Sequence, residues 1–303
     1  MGTSNSYGGP GNSTPLVPSW LNDEYDSGTV QDSPENESDE SDSTAANGDD
    51  NTTDTDSGLG DSKPSAEPDD AINTERYRQA RTNFTRFVKS GGSGSAALGR
   101  AVSNYVSKSS GGSRKAAQKM GASKRTTSGI VNFLGSVRTE GIQSTLEKYN
   151  LGHLIGRSIE DIFLGLSDYI CPDGGNIDEG IARSAFIETI VDLAEQGITD
   201  LSSLSDAQFQ LIVEMYATNA IEARLCNDIG TKIIIAPENL SSVENIQEQL
   251  HDFISRGVSD AVNSLPIEFK DLTMSDTTNF VEQIYIEAFN ILKILGEIES
   301  NSK

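Results

Sequence analysis

From Asp32 to Asp70 the chain has almost nothing to bury. Asp, Glu, Ser, Thr, Asn and Gly dominate this stretch, and Leu59 with a few alanines are its only apolar residues. Such a segment cannot bury enough apolar surface to offset the entropy of ordering, and its like charges push it toward extension. Residues 21–72 are therefore expected to form a disordered acidic linker, so any core must come from the residues after it. Asp54-Thr55-Asp56-Ser57-Gly58 looks superficially like a calcium loop, but it lacks the ligand spacing, the closing Glu and the flanking helices of one.

Charge divides the chain further. Residues 76–138 hold thirteen Lys and Arg and no acid, whereas the residues before and after them are strongly acidic. The formal net charge of −23 thus hides one basic block between two acidic ones.

The first twenty residues, MGTSNSYGGPGNSTPLVPSW, differ from the linker they precede. Pro10, Pro15 and Pro18 stiffen parts of the stretch, and its glycines allow close backbone approach to a surface. Tyr7, Leu16, Val17 and Trp20, the only tryptophan, are apolar anchors without a helical pattern. That combination suits a peptide that docks in extended form, the alternative being a glycine-rich terminus that folds back on the domain. Met1-Gly2 with Ser6 also fits the loose myristoylation pattern, which carries little weight.

Ordered structure is expected from Asn73-Thr74, with Thr74 as N-cap and Tyr77, Ala80, Phe84, Phe87 and Val88 on one helical face. Gly91-Gly92 should stop that helix. Ser95 should start another, with Leu98, Val102, Tyr105 and Val106 inward, until Gly111-Gly112. The two endings resemble each other: Phe87-Val88-Lys89-Ser90-Gly91-Gly92-Ser93 before Ala96-Ala97, and Tyr105 to Ser113 before Ala116-Ala117. A basic helix, a Gly-Gly break and a serine-led restart therefore occur twice.

Further on, apolar stripes run through Ile130, Val131, Phe133, Leu134 and Val137, and through Ile155, Ile159, Ile162, Phe163 and Leu166. Helices are expected from about Ile177 to Gln196, from Ser205 as cap, and from Ser241 or Ser242. The clearest stripe is the last: Val281, Ile284, Ala288, Ile291, Leu295 and Ile298, at alternating spacings of 3 and 4. Only Lys232–Ala236 reads as a strand, and one strand makes no sheet. The fold class expected is all-α: a disordered acidic N-terminal arm, then basic helices, then a C-terminal helix bundle. The divisions are a docking peptide (1–20), an acidic linker (21–72), a basic helical segment with Gly-Gly breaks (73–138) and an acidic helix bundle (139–303).

The residues ask for little chemistry. Two cysteines, Cys171 and Cys226, are too few for a disulfide framework and suit a reduced cytoplasm. A metal site would need them to converge with His153 and His251, and no Cys-x-x-Cys or His-x-x-x-His pair favours that. There is no Walker motif and no nucleophile elbow, and Gly92-x-Gly94-x-x-Ala97 follows a helix rather than a strand. Carboxylate pairs such as Glu160-Asp161 are ordinary on solvated acidic faces. No cofactor and no metal is expected, no apolar run is long enough to span a membrane, and the reading is a cytoplasmic binding protein rather than an enzyme.

For the basic block three partners stay open: nucleic acid, the chain's own acidic parts, or an acidic protein. The nucleic-acid candidates are Arg76, Arg78, Arg81, Arg86 and Lys89 with Arg114, Lys115, Lys119, Lys124 and Arg125, and Tyr77 and Tyr105 as stacking residues.

Met1-Gly2-Thr3-Ser4, Tyr7-Gly8-Gly9-Pro10-Gly11 and Thr14-Pro15-Leu16-Val17-Pro18-Ser19-Trp20 together resemble the opening of the QatB family, a component of the bacterial Qat anti-phage defence system. Phe87 to Ala96 is similar as well. The resemblance implies operon neighbours: an ATPase, a QueC-like enzyme that uses ATP to act on a carboxylate, and a TatD-like nuclease. It also implies an acceptor for the QueC-like enzyme, and the amine of Gly2, freed when Met1 is removed, is a reasonable one. The partner-binding residues expected on that basis are Gly2, Thr3, Ser4, Tyr7, Gly8, Gly9, Pro10, Pro15, Leu16, Val17, Pro18 and Trp20.

Overall fold

The computed structural model describes residues 68–171, 175–230, 240–266, 272 and 274–301, all within one compact unit of residues 63–303. The docking peptide, nearly all of the acidic linker and the strand expected at Lys232–Ala236 lie outside the described residues. Among the described residues the secondary structure is helical throughout. Its elements are α1 (Pro68–Lys89), α2 (Ser95–Asn104), α3 (Ser113–Gln118), α4 (Gly121–Glu140), α5 (Ile142–Lys148), α6 (Ile159–Ile170), α7 (Ile177–Glu195), α8 (Asp206–Ile229), α9 (Leu240–Ser264) and α10 (Met274–Asn301).

The first helix starts earlier than the capping pattern suggests. Thr74 lies inside α1, which begins at Pro68. Proline suits the first helical position because its missing N–H would have no partner there, and its fixed φ already matches the helix. The inward face is the expected one: Tyr77, Ala80, Phe84, Phe87 and Val88 are all buried.

Both Gly-Gly pairs end their helices in the conformation only glycine adopts easily. Gly91 and Gly92 have φ of 64° and 85°, and Gly111 and Gly112 have 79° and 109°. At the first break the Gly92 N–H reaches Phe87 O and the Gly91 N–H reaches Val88 O, the paired bonds of a Schellman cap. The second break differs, because α2 passes into one turn of π-helix over Tyr105–Ser109. The wider turn keeps Tyr105, Val106 and Ser109 all buried.

Side chains cap three of the later helices, at Ser205 as expected and at Ser158 and Asn176 besides. Ser158 and Asn176 accept from backbone N–H groups at the starts of α6 and α7, and Ser205 with Gln208 forms a reciprocal capping box on α8. Ile155 is not part of the α6 stripe; it precedes Ser158 and is exposed.

A single apolar cluster runs from Tyr77 to Leu292, so the basic and acidic stretches share one core. The charge change at 138/139 falls inside α4. In the middle of the core Phe163 stacks on Phe186 with ring planes 9° apart, and Phe133 meets Phe163 edge-on. The principal partner of α2 is α10, with α9 on another side of α10. At the α2–α10 crossing a Cβ on Gly99 would come within 2.8 Å of Gly296 O, so the two backbones touch there.

That crossing changes the inward face of α10. Val281, Ile284, Tyr285, Ala288, Phe289 and Leu292 are buried, but Ile291 and Leu295 only partly, and Ile298 is 58% exposed. The 3-4 pattern therefore holds for the first half of the helix only. A straight helix drifts by roughly 20° per heptad from such a pattern, and beyond Leu292 the contact residue is Gly296 instead.

Candidate functional site

Asp228 sits in the last turn of α8 and is the centre of a polar contact between helices. Its Oδ2 accepts a hydrogen bond from the Tyr105 hydroxyl at 2.9 Å, and the Tyr77 hydroxyl lies 3.5 Å away. Arg224, one turn back, places Nε 3.4 Å from the same carboxylate and Nη1 3.5 Å from Asp178 Oδ1. The Asp228 carbonyl accepts from Arg81 Nε at 3.0 Å. Lys119, at the end of α3, donates to the Tyr77 hydroxyl at 2.6 Å. Arg81 and Lys119 both lie over the Tyr77 ring, 5.4 and 5.1 Å from its centroid.

The charges shape one another. Burial, and then the Asp228 carboxylate, raise the Tyr77 and Tyr105 hydroxyls, so both remain protonated donors. Burial lowers the Lys119 ammonium; Asp228 counters this while Arg76 and Arg224 add to it. Asp178 has a second partner in the Ala122 N–H, 2.8 Å from Oδ2. Arg76, Arg81, Lys119 and Arg224 thus line one cleft of about 860 Å³, with Asn176, Ile177 and Asn227 at its edge.

The cations expected to bind nucleic acid fall into two groups. Arg81 and Lys119 are in the cleft, and Lys124 pairs with Glu282 on α10. Arg86, Lys89, Arg114 and Lys115 are exposed and have no acidic partner among the described residues. Arg78 pairs with Glu75 at 3.5 Å on the surface, and Arg125 lies 4.0 Å from Glu179. Tyr77 and Tyr105 are not available for stacking on bases, since both are buried with their hydroxyls turned to Asp228. Nothing local in the sequence marks Asp228, Arg224 or Asp178 as site residues; Tyr105 and Asp228 are 123 residues apart.

The four metal candidates do not converge. No group of three or more His, Cys, Asp or Glu is placed to hold an ion among the described residues. His153 is exposed, and the His251 Nδ1 lies 3.0 Å from Glu222, which raises the imidazole above its usual value. Burial pushes the Cys171 thiol up to about 11 and the Cys226 thiol to about 12, so both stay protonated. No described helix is long and apolar enough to cross a membrane.

No curated protein and no solved structure matches the chain. A family model does match, over residues 111–292: QatB, the Qat anti-phage system associated protein. The segments that carried the sequence resemblance, 1–20 and 87–96, lie outside that span, so the two agree on different residues. The match covers more than half of the chain, and the protein belongs to the QatB family of the Qat anti-phage system.

Proposed function

We propose that this chain is a non-catalytic, cytoplasmic adaptor of a Qat defence complex, which offers its N-terminal peptide to a QueC-like partner enzyme. The observation that carries the reading is the concentration of Trp20, Tyr7, Leu16, Val17 and three prolines in the first twenty residues, ahead of an acidic span and then the helices. In this reading Tyr7, Leu16, Val17 and Trp20 are the anchors. Thr3, Ser4, Gly8, Gly9, Pro10, Pro15 and Pro18 keep the peptide narrow and extended, and the amine of Gly2 is the group modified. A flexible chain of some fifty residues spans roughly 40 Å, enough to reach a neighbour's active site while the helices are held elsewhere. The family match supports a place among Qat components; the sequence resemblance implies the ATPase and the TatD-like nuclease as further candidate partners.

The test is the intact mass of the chain co-expressed with its operon neighbours, together with phage protection by a variant lacking residues 2–20. An added mass confined to the N-terminal peptide and loss of protection are expected. A truncated or N-terminally tagged protein that protects as well as wild type would place the function in the helices.

A second reading, nucleic-acid binding through residues 76–138, draws on the exposed Arg86, Lys89, Arg114 and Lys115, which have no acidic partner among the described residues. It requires binding that weakens steeply with salt, whereas docking of an apolar peptide would not.

A further inference from the structure

The cleft between α1, α3 and α8 has an excess of positive charge that its own carboxylates do not consume. Among the described residues that line it, Arg76, Arg81, Lys119 and Arg224 face two acids, Asp178 and Asp228. Both acids are already engaged, Asp178 by the Ala122 N–H and Asp228 by the Tyr105 hydroxyl. The cations retain donors. An arginine has five N–H groups; Arg76 directs one to Ser110 O, and Arg81 directs one to Asp228 O. In a chain of net charge −23, a recess that keeps four cations from three different helices is not a general surface property.

We propose that this cleft binds the phosphoryl group of a small phosphate-bearing ligand. The surplus of two positive charges matches a phosphate dianion, and arginine forks suit its oxygens in paired hydrogen bonds. At about 860 Å³ the cleft is larger than a phosphate needs, which leaves room for the group that carries it. Ile177, 69% exposed at the cleft's edge, offers that group an apolar contact. A nucleic-acid backbone fits less well, because it needs an exposed stripe, whereas the Arg224 side chain is only 14% exposed. Burial is the main cause of the lowered Lys119 ammonium, with Arg76 and Arg224 adding to it against Asp228, and an anion in the cleft would restore its charge.

Titration calorimetry of the full chain with inorganic pyrophosphate and with ADP tests the site. Binding of either is expected, weakened about tenfold or more by Arg76→Gln and by Lys119→Gln, the scale of one charge-assisted hydrogen bond. Arg86→Gln, outside the cleft, should leave it unchanged. Pyrophosphate binding as tightly as ADP assigns the recognition to phosphate alone, and a clear preference for ADP adds a contact to the nucleoside. If Lys119→Gln lowers the melting temperature, the exposed Arg76→Gln decides the matter. Absence of binding by both probes, or binding that neither variant changes, overturns the proposal. So does oligonucleotide binding that depends on Arg76 when neither small probe binds.

Discussion

The cations of the basic block look alike in the sequence, but the fold uses them in two ways. Arg81, Lys119 and Lys124 are committed to Asp228, Tyr77 and Glu282, contacts that join helices far apart in the chain. Arg86, Lys89, Arg114 and Lys115 point their charge at solvent and pair with no acid among the described residues. A run of like charge is therefore not one functional unit. Its inward members tie helices together, and Arg81 and Lys119 line the cleft proposed to take a phosphate as well, whereas the outward members face solvent alone.

The largest effect should come from the centre of the inward set. Asp228→Ala removes the acceptor of Tyr105 and leaves Arg224, 14% exposed, without one of its two acids. A loss of about 3 kcal/mol is expected, the scale of breaking a buried pair, and denaturant titration reads it. An unchanged midpoint would mean that the polar cluster is incidental. Lys124→Met should cost about 1 kcal/mol, since its partner Glu282 is partly solvated. The outward set should behave oppositely. Arg86, Lys89, Arg114 and Lys115 all changed to Gln should alter stability by no more than about 0.5 kcal/mol. Any salt-sensitive nucleic-acid binding should nevertheless be lost in that variant, and retention of it would place the binding elsewhere.

His251 sits between the two classes, with a half-open imidazole against Glu222. The hydrogen bond to Glu222 raises it above 6.5, so its contribution is fully present below that value. That contribution is lost as pH rises through the raised value. Melting temperatures followed across this window should fall slightly in wild type and less in His251→Gln.

Local geometry was legible in the sequence and long-range geometry was not. The face of α1, the Gly-Gly breaks and the cap at Ser205 all follow from residues within one or two turns of each other. The roles of Tyr77 and Tyr105 could not be read in this way, because their acceptor lies more than a hundred residues away. The second half of α10 departs from its spacing for a related reason. Leu295 continues the apolar pattern, but the contact with α2 falls on Gly296, where the neighbouring backbone rather than a side chain fills the space. The docking peptide, Gly2 to Trp20, lies outside the described residues, and its anchors were legible from the sequence alone.

The backbone contact between Gly99 and Gly296 also bears on when the domain can form. During synthesis α2 emerges early, but α10, the helix that covers it, is made after α1 to α9. Until then the apolar side of α2 that faces α10 lacks its main cover, and pairing across so long a separation is slow. Nascent chains stalled before α10 should consequently be the species that chaperones hold, and a ribosome pause placed just ahead of Met274 would lengthen that dependence.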